Sequence, residues 1–148
     1  MATIVPLRGH QVTLQIGDGA TPEVFTSWCG NTQIAHNYNI NTETEDLPDC
    51  SDPLMVNFES PFKTSIGESI EFSGILAPAF EKQLRELVYE EDAVNIRIVF
   101  SGGTNNGHLQ GPALLTAAGN DWANMRQAGT YTGTLTFTAK PIWTPAVP

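Results

Sequence analysis

Positive charge is scarce in this chain. Seven lysines and arginines stand against sixteen aspartates and glutamates in 148 residues, a formal net charge of -9. A footprint on nucleic acid needs a basic face, so affinity for DNA or RNA driven by overall charge is excluded. Docking on an anionic membrane is disfavoured for the same reason. Charge of either sign is sparse at 16%, against about 25% in an average soluble domain. No apolar run approaches the ~20 residues of a membrane-spanning helix. Residues 1–8 lack the basic flank and apolar stretch of a signal peptide, so the chain is expected to fold in the cytoplasm. There, Cys29 and Cys50, the only cysteines, are expected as two reduced thiols. No Asn-x-Ser/Thr acceptor occurs.

What is present is alternation. Hydrophobic residues make up 41%, enough for a packed core and too many for a disordered chain. Val12, Leu14 and Ile16 alternate with Gln11, Thr13 and Gln15, a strand with one polar face that ends at the turn residues Gly17, Asp18 and Gly19. A short apolar run from Val24 to Cys29 follows. Ile34, His36, Tyr38 and Ile40 then share one face, opposite Gln33, Ala35, Asn37, Asn39 and Asn41. Further strands are expected from Ile66 to Phe72, from Val94 to Phe100, around residues 113–118 and from Thr130 to Ala139. In the last, Tyr131, Leu135 and Phe137 face away from a row of threonines. One helix is expected, opened by Pro78. Its apolar stripe is Leu76, Phe80, Leu84, Leu87 and Val88, and Glu81 and Arg85 form an i,i+4 pair. Glu90, Glu91 and Asp92 sit unfavourably at its C-terminus, so it depends on packing against a sheet. Together these predict a single mainly β domain over residues 1–148: a β-sandwich or barrel with one flanking α-helix.

Residues 43–62 interrupt this pattern. Glu43, Glu45, Asp46, Asp49 and Asp52 fall within ten residues with no base among them. Pro48, Pro53 and Pro61 argue against a regular ladder, so a long exposed acidic loop is expected. A loop of that length in a compact domain is usually functional or ordered by a partner. From residue 141 a proline-bound, extended C-terminal tail is expected.

Chemistry is hard to find. The Gly17-Asp18-Gly19 turn lacks the remaining ligand spacing of a calcium loop. The loop from Ser101 to Gly107 has neither the Lys-Ser/Thr nor the helix start of a phosphate cradle. Cys29, His36 and Cys50 match no zinc spacing, and His36 reads as a hydrogen-bonded core histidine. No nucleophile elbow occurs. Catalytic carboxylates need burial or rigid positioning to separate their pKa values, and an exposed acidic loop offers neither. The chain is read as no enzyme, with no cofactor and no metal. A monomeric β-sandwich that binds calcium or carbohydrate through residues 43–52 is the alternative of a different class, although Trp28, Trp122 and Trp143 are scattered in sequence. The strands' polar faces carry Thr, Gln, Asn and Ser instead of Lys and Glu. Such faces protect a soluble monomer poorly and suit surfaces that meet other protein.

Several segments, taken in order, resemble one family. Glu43-Thr44-Glu45-Asp46-Leu47-Pro48-Asp49-Cys50-Ser51-Asp52-Pro53 resembles the acidic loop of a group of tailed-phage major tail tube proteins. Gly17-Asp18-Gly19-Ala20-Thr21-Pro22-Glu23-Val24-Phe25 resembles their N-terminal hairpin, and Phe72-Ser73-Gly74-Ile75-Leu76 their G-x-L turn. Gly111-Pro112-Ala113-Leu114-Leu115-Thr116, Gly133-Thr134-Leu135-Thr136-Phe137-Thr138 and Ile142-Trp143-Thr144-Pro145-Ala146 resemble the later strands and tail.

The resemblance implies a tail-tube fold, shared with type VI secretion tube proteins, in which six copies close a ring and rings stack into a hollow tube that conducts DNA during ejection. A type VI or contractile-system tube subunit is the nearest variant. The implied partners are further copies of the chain and the tail tip or initiator, tape-measure and terminator proteins. DNA passes without specific binding and no membrane is involved. The implied location is the virion tail, assembled in the bacterial host cytoplasm. Glu43, Glu45, Asp46, Asp49 and Asp52 become candidates for contact between rings. Glu68 and Glu71 become candidate lumen-facing acids, at most one of them on the lumen face of a regular strand.

Overall fold

The structure, a computed structural model, describes residues 6, 8–28, 30–48, 51, 56–102, 106–122 and 128–146. Among the described residues a short 3-10 turn (Gly9–Gln11) leads into eight strands and one α-helix, in the order β1 (Val12–Gly17), β2 (Phe25–Ser27), β3 (Asn31–Leu47), β4 (Phe58–Ile75), α1 (Pro78–Tyr89), β5 (Val94–Phe100), β6 (Gly107–Asp121), β7 (Thr130–Phe137) and β8 (Ile142–Pro145). They form one antiparallel sheet in the order β2-β1-β5-β6-β7-β4-β3, and β8 adds to β6.

Strand β6 is shared between partners. Its first half lies between β5 and β8, and from Ala113 onward it pairs with β7. Pro112 sits where the change is made. A proline has no N–H to give, and its vacant donor position falls between the last β8 pair and the first β7 pair. Its carbonyl instead accepts the Thr138 amide at 2.9 Å.

The sheet curls over its own apolar face. Leu14, Ile96 and Ile98 from β1 and β5 join Ile70, Phe72, Leu135 and Phe137 from β4 and β7 in one buried cluster. Trp28 ties the two ends together: its amide donates to the Leu14 carbonyl at 2.9 Å. Its ring lies 5.1 Å from Phe72, 6.0 Å from Tyr131 and 6.2 Å from Phe80 of α1. Such ring pairs add roughly 0.5–1.5 kcal/mol beyond the area they bury. Tyr131 is buried and donates its hydroxyl to Asn31 Oδ1 at 2.6 Å.

Helix α1 starts at Pro78 as the sequence predicts. Leu84 is buried, and Leu76, Phe80 and Leu87 pack against the core. Val88 departs from the expected stripe: it is 50% exposed.

Two expectations are corrected. Residues 43–62 are not one long loop, because Glu43, Glu45 and Asp46 are the end of β3, paired with Phe62, Ser60 and Glu59 of β4. Pro61 does not break this ladder. Among the described residues this stretch of β4 is an edge beyond β3, since its β7 pairs begin at Ser69, and edge strands are where a ladder tolerates proline. The segment after residue 141 is likewise not only a tail, because Ile142–Pro145 forms β8 on β6.

Candidate assembly surfaces

Four strands carry the surfaces of interest, in the order β6-β7-β4-β3. Directly opposed residues of an antiparallel pair share a face. Phe72, Ile70, Leu135 and Ala113 lie on the covered face, against the core. The other face is bare. It presents Gln33 and Ala35 from β3, Ser69, Glu71 and Ser73 from β4, Thr132, Thr134 and Thr136 from β7, and Ala117, Gly119 and Asp121 from β6. Thr116 and Thr136 share a hydroxyl hydrogen bond of 3.0 Å across it. Its charges are acids.

The structure separates the two candidate acids, as the alternation requires. Glu71 stands exposed on the bare face. Glu68 points to the covered side, half-buried, with Oε2 3.0 Å from His36 Nε2. His36 is therefore a hydrogen-bonded histidine at the margin of the core, with Tyr38 4.5 Å from its ring. Sequence reasoning missed Asp121 as a second acid on the bare face. The alternation that carries it passes through a register shift between Leu115 and Ala117, which period-2 counting from the sequence does not see.

Among the described residues both lateral edges of this four-stranded unit are open. Strand β3 pairs with β4 and with no other described strand along its 17 residues. On β6, residues 114–121 pair with β7 on one side alone, because β5 ends its pairing at Ala113. Unpaired edges invite another strand unless they are blocked, and neither is blocked by lysine or proline.

The third surface is an arm. Beyond its β7 partner, the β3–β4 hairpin continues as a free two-stranded ribbon. Residues 37–47 and 58–67 are exposed, apart from a half-buried Ser60. At its base Tyr38 (59% exposed), Ile40 and Ile66 extend the covered face of the sheet into solvent. Thr64 is the extra residue of a bulge, and its hydroxyl donates to the Asn41 carbonyl at 3.2 Å. Near the tip Phe58 and Leu47 pair on one face beside Glu45 and Glu43. Asp49 and Asp52, the other two acids of the expected contact loop, lie outside the described residues, as do Cys29 and Cys50.

Elsewhere the chemistry is that of turns. Asp18 Oδ1 accepts the amides of Ala20 and Val24 at 2.9 and 3.0 Å. These bonds hold its carboxyl below the usual carboxylate range. His108 is pushed below the ordinary imidazole value by burial and by the Arg97 charge. Among the described residues no group of three or more His, Cys, Asp or Glu side chains could hold a metal ion. Trp28 is buried in the core and unavailable to stack on a sugar. No helix among the described residues is long and apolar enough to cross a membrane.

No family model and no curated protein sequence matches the chain. Solved structures do. It is similar to a chain of the tail of an empty gene transfer agent particle with C6 symmetry, at a TM-score of 0.69 and 13% identity over 93% of this chain and 98% of that one. It is similar to the SPP1 tail tube at a TM-score of 0.65 and 12% identity, over 97% and 81%. The chain has the tail-tube fold. A chain of the sheath–tube complex of an extracellular contractile injection system, PVC, matches at a TM-score of 0.61 and 12% identity over 95% and 93%. The fold is therefore common to chains of all three assemblies, and at these identities the likeness speaks for the fold alone.

Proposed function

We propose that the protein is the structural subunit of a phage tail tube, and that its two open edges meet to close a ring. The observation that carries this reading is the pair of unprotected edges on β3 and β6, at opposite sides of one four-stranded unit. The edges differ, so the contact is head-to-tail, the kind that generates rings when the rotation closes. Strand direction alternates through β6, β7, β4 and β3. With four strands per copy, β3 of one copy runs antiparallel to β6 of the next under rotation alone. Closure then removes every edge of the inner sheet.

The layout also supports an inside and an outside. Helix α1 and strands β1 and β5 cover one face of the four-stranded unit, and this bulk fits on the outer circumference. The bare face then lines the lumen. Glu71 and Asp121 repel phosphates, and the uncharged threonines, serines and alanines of that face supply no cation whose pairing with DNA would release counterions and hold it. DNA would pass without specific binding.

The arm supports stacking. The open edge of β6 is eight residues long and closed off at Ala113 by β5, whereas β3 has 17 residues. The excess of β3 cannot pair within the ring and projects from it, carrying Glu43, Glu45 and Asp46 toward an adjacent ring. Asp49 and Asp52 are assigned to the same contact. On this reading the chain belongs to a virion tail assembled in the host cytoplasm, with tip or initiator, tape-measure and terminator proteins as its other partners. Likeness to the contractile injection tube favours a sheathed tube as the second reading.

Electron microscopy of the purified full-length chain over a range of concentrations tests the proposal. Six-fold rings or hollow tubes are expected. Small uniform particles at every concentration contradict it, and a thermal shift on adding calcium would then favour the monomeric binding module.

A further inference from the structure

The core is open along one seam. Between β1 and β3 lies a cleft of about 850 Å³, within the ~300–1,000 Å³ range of sites that enclose a small-molecule-sized group. Half-buried Val12, Ile34 and Phe100 form its accessible apolar wall, with Leu14, Trp28 and Ile98 buried behind them, and Thr13 of β1 and Thr32 of β3 line it from either side. On the far side of the molecule two aromatic side chains have the opposite problem. Tyr89 is 80% exposed and Trp122 is 61% exposed, and both border one crevice between α1 and the open end of β6. Scattered single apolar residues need no explanation, but two large rings flanking an open sheet edge do.

We infer that the cleft between β1 and β3 receives Trp122 and Tyr89 of the neighbouring copy. This rests on the ring reading above and adds an anchor to it. The cleft borders the open edge of β3 on the covered side of the sheet. Trp122 and α1 border the open edge of β6 on that same side. Pairing the two edges therefore brings a concave apolar surface of one copy against a convex aromatic surface of the next. Charge agrees with the fit. Among the described residues no acid lines the cleft, and its lining includes His10 and His36, the latter already paired with Glu68 at 3.0 Å. The end of α1 that would approach carries Glu86, Glu90 and Glu91 beside the single base Arg85. Buried aromatic anchors set the strength of most protein interfaces, and edge hydrogen bonds alone define direction better than affinity.

The test uses full-length protein assembled into rings from equal parts of ¹⁵N-labelled and unlabelled chains, with a photo-crosslinking phenylalanine analogue in place of Trp122. Mass spectrometry is expected to find adducts between chains of different label, on residues 13, 32 or 36. Adducts only within one chain, or only on the arm residues 58–66 of another copy, overturn the inference and leave the ring standing. In parallel, Trp122→Ala and Tyr89→Ala are expected to raise the concentration for half-assembly about tenfold or more each. Neither is expected to shift the thermal midpoint of the unassembled chain. Val24→Ser, an equally exposed change at the β1–β2 turn, is expected to do neither. Unchanged assembly in both aromatic variants overturns the inference, and failure of the wild-type chain to form rings overturns both it and the reading on which it rests.

Discussion

The β3–β4 hairpin is two structures in one. In the half next to Gly74, the strands bury Ile70 and Phe72 against Leu135 and Trp28, and β7 pairs along the far side of β4. In the half beyond Ile66, the same strands keep their ladder but bury almost nothing. Fully burying a Leu, Ile or Phe side chain stabilises by roughly 1.5–3 kcal/mol, whereas an isolated two-stranded ribbon is marginal in water. The first half is held by this chain. The second half has no such contacts among the described residues, and on the proposed reading they come from another chain.

Substitutions on the two halves should therefore behave oppositely. Ile70→Ala removes a side chain with no exposed surface and is expected to cost about 2–5 kcal/mol in urea denaturation. Ile66→Ala, four residues along the same strand and 60% exposed, is expected to stay within about 0.5 kcal/mol while weakening assembly. A large loss of monomer stability from Ile66→Ala would break the distinction.

Glycines sharpen it next. A Cβ on Gly133 would lie 2.5 Å from Phe72 Cζ, so Gly133→Ala is expected to destabilise by roughly 1–3 kcal/mol through overpacking. A Cβ on Gly67 meets nothing closer than 3.8 Å, and Gly67→Ala is expected to be neutral or slightly stabilising. Thermal melts of the two variants distinguish these outcomes.

A smaller effect belongs to Tyr131→Phe, which removes the 2.6 Å hydrogen bond to Asn31 at an expected cost of about 1–2 kcal/mol. Burial, slightly offset by the Trp28 side chain, pushes the Tyr131 phenol up to about 12. A folded value raised above the unfolded one gives stability that is full below the unfolded value of ~10 and fades as pH rises through the folded value. Alkaline loss of stability between pH ~10 and 12 is thus expected in the wild type and flattened in Tyr131→Phe.

The smallest effect is at Asp18, exposed on the β1–β2 turn. Its carboxyl is held low by the amides of Ala20 and Val24. A lowered value gives stability above the unfolded value and loses it as pH falls through the folded one. Titrating the melting temperature downward through the ordinary carboxylate range should therefore show a modest fall, reduced in Asp18→Ala.

How far the sequence announced this structure depends on the same division. Where one strand face is buried, alternation is strict, and β1, β5 and β7 were legible from Leu14, Ile96, Ile98, Tyr131, Leu135 and Phe137. Pro78 and the spacing of Phe80, Leu84 and Leu87 announced the helix. In the arm neither face is buried, so acids and a proline fall where alternation would otherwise be imposed. Glu43, Glu45, Asp46 and Pro61 then look like loop residues although they are paired. The bare face was legible as a row of threonines on β7, and the choice between Glu68 and Glu71 needed only the position of Ile70. The register shift near Thr116 and the open edge of β6 depend on where β5 stops, which no local pattern encodes.

Hydrogen–deuterium exchange on unassembled and assembled protein follows the two open edges themselves. Amides on the outward edges of β3, within residues 31–37, and of β6, within residues 114–121, are expected to exchange fast in the free chain and to become protected together on assembly. Assembled tubes in which either edge still exchanges at the free rate would contradict the edge-to-edge ring.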